Sequence, residues 1–382
     1  MGKRLAVVLL CLVGLLTPRV HGENMPISAA SYVVMDGDTG RVLDSRLLHE
    51  RRPIASITKL MTALTAVESG CSLEEAVEVQ EEWTGIEGSS IYLRPGECIT
   101  LESLLYGLLL RSGNDAAVAL AEHCGGTMEA FVCEMNRLAQ ALNMVDSHFC
   151  NPHGLHEDAH YSSAYDMALL ARACLKDPVL SEMIRTKSIT IGQRNYTNHN
   201  KLLWWYPGCI GLKTGYTERA GRTLVSAARR DKVTLICVTL HAPKDWNDHR
   251  VLYDRCFQDY TNRQLTAAGS TVARVPVRGS LQSFCPAVLG KELSLLCGER
   301  ERPELRCRYD RELLEAPIRQ GQKIGEAYVE LDGVCYQRTP LLAGCTIQSD
   351  IIRGRGFRWP WDSENRQNKE VAGELWKSGC KN

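Results

Sequence analysis

The stretch PIASITKL, residues 53–60, places Ser56 three positions before Lys59, behind a proline and at the start of a segment with helical spacing. Side chains at i and i+3 share one helix face, so the amine can reach the hydroxyl and accept its proton, which makes a serine a nucleophile. The helix N-terminus would also stabilise negative charge developing there. Taken singly, the pair reads more readily as a helix cap followed by a solvated lysine. Two further stretches supply groups that such a nucleophile needs. Ser112-Gly113-Asn114 falls in a tight break between an apolar helix and the next one, where two polar side chains can face a cleft. Lys213-Thr214-Gly215 falls in a predicted strand, where a lysine, a hydroxyl and a residue without a side chain can project along one cleft edge.

The elements that must position these groups follow from the hydrophobic spacing. SYVVMD and RVLDSR, separated by the turn residues GDTG, predict an opening hairpin from residue 31. Ile57, Leu60, Met61, Leu64 and Val67 mark one face of a helix that Gly70 stops, with Ser56 at its N-terminus. Leu101, Leu104, Leu105, Leu108 and Leu109 mark a second, capped by Thr100. DAAVALAEHC and MEAFVCEMNRLAQALN continue the helical section, and SSAYDMALLARACL opens on a capping box of Ser163 and Asp166. CIGLKTGYT, GRTLVSAARR and KVTLICVTLHA then read as consecutive antiparallel strands, with RRDK as a hairpin turn. Short alternating strands from residue 263 to 347, with Asp332-Gly333 as a hairpin signal, predict a small β domain. Residues 348–382 read as a polar tail. The fold class is therefore α+β, in the order β, α, β, followed by a β-rich domain.

Composition excludes several classes of partner. The 45 basic residues balance 45 acidic ones, so no polyanion or nucleic-acid binder is implied. Lys3 and Arg4 precede the apolar run Leu5–Leu16, which reads as a secretory signal peptide ending near Gly22, with SAA at residues 28–30 as a competing cleavage site. An uncleaved anchor is the other reading, and no later segment is apolar enough to cross a membrane. There are sixteen cysteines, and removal of Cys11 with the signal leaves an odd set. The chain has no CxxC pair and no metal-ligand spacing with histidines, so neither metal nor cofactor is expected. Several cysteines, such as Cys237 in VTLICVTL, serve as small buried hydrophobes.

Taken together and in this order, SxxK, SxN and KTG are the set shared by class A β-lactamases and penicillin-binding proteins. The chain resembles the D-alanyl-D-alanine carboxypeptidases, the low-molecular-weight penicillin-binding proteins of serine peptidase family S11. Matching stretches include ASITKLMTALTAVESG, LLLRSGNDAAVALAE, NPHGLHEDAHYSSAYDMALLA, NHNKLL and GLKTGYTERAGRTLVSAARR. The resemblance is close over residues 31 to about 260 and looser over the β domain, where GQKIGEAYVELDG carries it. It implies a β-lactamase/transpeptidase-like catalytic domain over 31–262, an antiparallel sheet flanked by helices plus a helical subdomain, ahead of the β domain at 263–347.

The resemblance also implies roles. Ser56 is the acylated nucleophile, Lys59 its general base, and Ser112 the relay of a proton to the leaving amine. Asn114 holds the substrate's peptide amide while contacting Lys59. Lys213 and Thr214 bind the terminal carboxylate of D-alanine, Gly215 leaves room for it, and the N–H groups of Ser56 and Tyr216 form an oxyanion hole. The implied partners are peptidoglycan stem peptides and, as inhibitors, β-lactam antibiotics. No counterpart is visible of the glutamate with which class A β-lactamases deacylate, which favours a peptidase. His153 and His160 are expected to order a loop near the cleft, and Tyr32, Trp204 and Trp205 to serve as packing or cleft-wall residues. Membrane contact through the tail is at most peripheral: Val371, Leu375 and Trp376 form its only substantial apolar cluster near the end. A β-lactamase or esterase on the same scaffold, and a catalytically silent wall-binding protein, are the rival readings.

Overall fold

The structure, a computed structural model, describes residues 26–350; the expected signal peptide at 1–22 and nearly all of the expected polar tail at 348–382 lie outside these residues. In chain order the first unit contains β1 (Ser31–Asp36), β2 (Val42–Arg46), α1 (Lys59–Glu68), β3 (Ala76–Glu78), β4 (Cys98–Thr100), α2 (Leu101–Arg111), α3 (Asn114–Gly125) and α4 (Met128–Ala141). It continues with α5 (Ala164–Lys176), α6 (Pro178–Arg185), β5 (Ser188–Ile191), β6 (Arg194–Thr197), α7 (Leu202–Trp205), β7 (Cys209–Gly211), β8 (Thr214–Thr217), β9 (Gly221–Arg230), β10 (Val233–Leu240) and α8 (Asp245–Asp259).

The central sheet runs β2-β1-β10-β9-β7, with β8 also paired to β9. The N-terminal hairpin thus lies beside strands some 200 residues later: Val34 faces Cys237, and Cys237 faces Ser226. β1 is buried along its whole length, because helices cover the sheet on both faces. α5 packs on β1 and β10, as does α8. Cys237 and Cys256 are buried in this layer as small apolar side chains.

Helix α8 is one of the elements that spacing alone does not announce. Its inward face consists of Leu252, Tyr253 and Cys256 together with buried Asp248 and His249, so polar residues interrupt the apolar stripe. Each of these polar groups is satisfied. Asp248 accepts from the backbone N–H and hydroxyl of Ser28 at 3.0 and 2.6 Å. The His249 ring lies between the Ser226 hydroxyl at 2.7 Å and the Thr239 hydroxyl at 3.0 Å.

Burial pushes the His249 pKa down from 6.5 to about 3. The unfolded chain takes up this proton below about pH 6.5 while the folded chain resists it to about pH 3, so the stabilisation is present above that window and lost as pH falls through it. One such group contributes a slope of up to about 1.4 kcal/mol per pH unit. Thermal unfolding across this range is expected to show a falling Tm towards acid, with a shallower fall in His249→Gln. An unchanged slope in the variant would show that this ring is not kept neutral by the fold.

Helix α1 is buried on all sides, although its spacing suggested a single apolar face. Thr62 and Thr65 are fully or nearly fully covered along with Leu60, Met61 and Leu64. Their hydroxyls donate to backbone carbonyls, Thr62 to Pro152 at 2.5 Å and Thr65 to Met61 at 2.9 Å, which removes the penalty of burying them. Ser56 lies in a 3-10 turn, Ala55–Thr58, that leads into α1. α2 starts at the Thr100 cap and α5 at the Ser163 cap, as their sequences predict. The β5–β6 hairpin, turning at Gly192 and Gln193, was not anticipated.

A second compact unit begins at Asn262. Its core contains Cys285, Ala287, Cys297, Ala327, Val329 and Leu341. Strands Lys323–Leu331 and Val334–Ala343 pair across Asp332-Gly333, both left-handed at φ 52° and 80°. Those angles suit the two-residue turn whose twist matches the strands, and asparagine, aspartate and glycine tolerate them best.

Candidate active site

Three breaks in regular structure deliver the site, and each contains a non-glycine residue held at positive φ: Ala55 at 52°, Ser112 at 64° and Leu212 at 82°. Such conformations cost of order 1–3 kcal/mol and persist only where surrounding packing imposes them. Ala55 precedes Ser56. Ser112 is itself the left-handed C-cap of α2, and Asn114 opens α3 two residues later. Leu212 precedes Lys213, which lies between β7 and β8 instead of within a regular strand, although its N–H and C=O still exchange hydrogen bonds with Val225 at 2.9 Å.

Lys59 is fully buried at the centre of the arrangement. Its Nζ lies 2.9 Å from Ser56 Oγ, 2.7 Å from Asn114 Oδ1 and 2.7 Å from the carbonyl of His153. A neutral amine has two N–H donors and one lone pair. Two of the three neighbours are pure acceptors in this geometry, which leaves the lone pair for the proton of the Ser56 hydroxyl. The neutral form is also favoured electrostatically: burial, then the Lys213 charge, hold the Lys59 pKa well below the usual lysine range, against a smaller opposing pull from Asp115. Asn114 also donates through Nδ2 to the carbonyl of Glu87. One N–H and one lone pair of its amide remain for a substrate.

Asp115, absent from the motif reading, fixes the loop in front of α3. Its carboxylate accepts from the Ser90 hydroxyl at 2.5 Å and from the N–H groups of Ile91 and Leu93 at 3.0 and 3.1 Å. The NPHGLHEDAHY loop supports α1 from another side. The Cys150 N–H donates to His160 Nδ1 at 3.1 Å, so His160 carries its proton on Nε2 and donates to Thr58 Oγ1 at 2.8 Å, while that hydroxyl donates to the Ala55 carbonyl. Gly154 lies at φ 86°, and a Cβ there would stand 2.1 Å from the Ala55 oxygen, so only glycine lets this loop approach the Ser56 turn. His153 and His160 thus act on the loop, as expected.

Lys213 is buried too, donates to the Thr214 carbonyl at 3.0 Å, and has its pKa pulled down by burial to about 7. Gly215 packs against the nucleophile's turn: an added Cβ would meet Thr223 Oγ1 at 2.4 Å and the Ser56 nitrogen at 3.0 Å. Ser56, Ser112, Thr214, Gly215, Tyr216 and His199 line one cleft of about 480 Å³. Arg222 and Trp246 line it as well, Arg222 being bound at two points by Asp245 at 3.0 and 2.8 Å. No spacing signal marked either of them. Of the aromatic residues singled out in the sequence, Tyr32 is a packing residue whose hydroxyl donates to Asp44 at 3.1 Å, while Trp204 and Trp205 are exposed, Trp205 meeting Trp246 edge-on at 6.3 Å.

This β-lactamase/transpeptidase-like fold, with Ser56 on a cleft and the buried Lys59 and Asn114 behind it, defines a serine hydrolase of the penicillin-binding class. Comparison with known proteins agrees. The profile of the D-alanyl-D-alanine carboxypeptidase family matches residues 19–244, and that of the penicillin-binding protein 5 C-terminal domain matches residues 260–349. The D-alanyl-D-alanine carboxypeptidase DacF of Bacillus subtilis is 34% identical over 82% of this chain and 85% of its own, and DacA of Escherichia coli is 31% identical over 87% and 85%. The crystal structure of penicillin-binding protein 5 from Haemophilus influenzae aligns with a TM-score of 0.72 at 27% identity, covering 85% of this chain and 98% of that one. The chain belongs to the D-alanyl-D-alanine carboxypeptidase family of serine peptidases.

Proposed function

We propose that the protein is exported through its residue 1–22 signal and removes the terminal D-alanine from peptidoglycan pentapeptide stems through an acyl-enzyme on Ser56. The 31–262 unit carries the catalysis and 263–347 forms an accessory β domain. Ser56 Oγ attacks the carbonyl carbon of the penultimate D-alanine as Lys59 takes the hydroxyl proton. The N–H groups of Ser56 and Tyr216 receive the oxyanion, Ser112 passes a proton to the departing amine, and free D-alanine leaves. Water then hydrolyses the ester. Lys213 and Thr214 hold the terminal carboxylate, and Asn114 both orients Lys59 and meets the substrate amide. The observation that carries this reading is the 2.9 Å contact between Lys59 Nζ and Ser56 Oγ at a fully buried amine.

Among the described residues no helix is long and apolar enough to cross a membrane. Contact with a membrane would be peripheral, through the C-terminal tail. The test combines two assays on the mature chain. A short peptide ending in D-Ala-D-Ala is expected to release free D-alanine, and a fluorescent penicillin is expected to leave a lasting adduct that peptide mapping places on Ser56. Rapid penicillin turnover without D-alanine release would mark a β-lactamase or esterase. Wall binding without any adduct would mark a catalytically silent protein, and an adduct elsewhere would overturn the mechanism.

A further inference from the structure

At the opposite ends of the two catalytic helices lies a second cluster of reactive side chains. α1 ends at Glu68 and turns through Gly70, at φ 82°, into Cys71; Glu75 follows just before β3. α3 brings His123 and Cys124 in its last turn. Cys71 Sγ, a Glu75 carboxylate oxygen and a His123 ring nitrogen all lie within 4.8 Å of one another. The His123 Nε2 to Glu75 Oε1 distance is 3.3 Å. Cys124 sits near enough to Cys71 and Ser69 for their groups to act on its thiol, so a second sulfur borders the group.

We propose that Cys71, Glu75 and His123 bind one divalent zinc ion, and that the neighbouring Cys124, whose sulfur lies outside this 4.8 Å group, turns in to complete the set. The donor set has the chemistry: two sulfurs, an imidazole nitrogen and a carboxylate oxygen are the ligands zinc takes in four-coordinate sites. The dimensions agree. Tetrahedral bonds of about 2.0 Å to nitrogen or oxygen and 2.3 Å to sulfur place the donors about 3.3 to 3.8 Å apart, so the histidine–glutamate pair already has the required separation and the Cys71 thiol has about 1 Å to travel. Cys71, His123 and Cys124 are all half-buried, which shields the thiolates, while Glu75 is exposed and free to adjust. On binding, the two thiols release their protons to solvent and the ion takes their place.

The site is structural. Lys59 opens α1 and Cys71 follows its C-terminus, about 15 Å away for a ten-residue helix, so the ion takes no part in chemistry at Ser56. Its effect is to fasten the far ends of α1 and α3, whose near ends carry Lys59 and Asn114. Linear spacing could not reveal this set, because Cys71 and Glu75 are separated from His123 and Cys124 by about fifty residues and meet only through the packing of α1 on α3.

The mature chain, stripped with a chelator under reducing conditions, is expected to bind one equivalent of cobalt(II) with a thiolate-to-metal charge-transfer band in the near ultraviolet, and one equivalent of zinc should displace it. Cys71→Ser, Glu75→Gln and His123→Ala should each weaken zinc affinity by about 10-fold or more, while a fluorescent penicillin still labels Ser56 and so reports an intact fold. Weakening by Cys71→Ser with no effect of Cys124→Ser would remove Cys124 from the set. Failure of the reduced chain to bind either metal stoichiometrically, or binding without a thiolate band, would overturn the site. A Cys71–Cys124 disulfide in the unreduced chain, found by differential alkylation together with no metal uptake after reduction, would overturn it in favour of a covalent link.

Discussion

Lys59→Ala is expected to fold and to acylate about 10²- to 10⁴-fold more slowly than the parent chain, the range that loss of a positioned general base produces. Among the described residues the amine is the one group in proton-transfer contact with the Ser56 hydroxyl, at 2.9 Å, and burial together with the Lys213 charge favours the neutral form that can accept the proton. Stability should change less. Truncation leaves Asn114 Oδ1 and the His153 carbonyl each short of a donor, at about 1–3 kcal/mol apiece, but it also ends the burial of a titratable amine at the centre of the core. Lys59→Arg sharpens the test, because guanidinium keeps a charge that never leaves and so cannot serve as base. If the role were only to supply positive charge, arginine would restore part of the rate. The pH profile carries the same sign: acylation should fall as pH drops through the depressed Lys59 pKa, since protonation removes the lone pair. Penicillin acylation rates, followed by fluorescence on the purified variants beside circular dichroism, decide the matter. Undiminished labelling in Lys59→Ala would remove Lys59 as the base.

Lys213→Ala is expected to lower kcat/KM on a free-acid D-Ala-D-Ala peptide by about 10- to 150-fold, the kinetic equivalent of a charge-assisted hydrogen bond of roughly 1.5 to 3 kcal/mol. Burial lowers the Lys213 pKa to about 7, and a bound carboxylate favours its charged form. A methyl ester or amide of the same peptide provides the control. Cleavage of that analogue should be affected far less, because it offers the lysine no charge to pair with. Equal losses on both substrates would mean that Lys213 acts through Lys59 or holds the cleft together, and the preference for a chain-terminal residue would need another source.

Much of the architecture was legible because its signals are local. Thr100 and Ser163 announce α2 and α5 through caps that bond within three residues, and Asp332-Gly333 announces its hairpin through backbone angles few other pairs adopt. α8 was hidden for the opposite reason. Asp248 and His249 are buried in it because Ser28, Ser226 and Thr239, distant in sequence, satisfy them, and no window of the sequence shows those partners. The all-round burial of α1 and the left-handed break at Leu212 before Lys213 were likewise invisible, since both are imposed by packing from other elements.

The chemistry divides in the same way. The sequence by itself determined which groups are present: the types and order of Ser56, Lys59, Ser112, Asn114, Lys213, Thr214 and Gly215 suffice to name a reaction, because motif spacing records which side chains share a turn. Only the tertiary structure decided what state those groups are in. Whether Lys59 is a solvated cation or a neutral base depends on how completely α1 is enclosed and how near Lys213 comes, and both depend on contacts across scores of residues. The same holds for Asp115 behind the loop, for Gly154 against the Ser56 turn, and for the convergence of Cys71, Glu75 and His123. Desolvation and electrostatic coupling act through space, and a linear order of residues holds no distances between elements that only packing brings together.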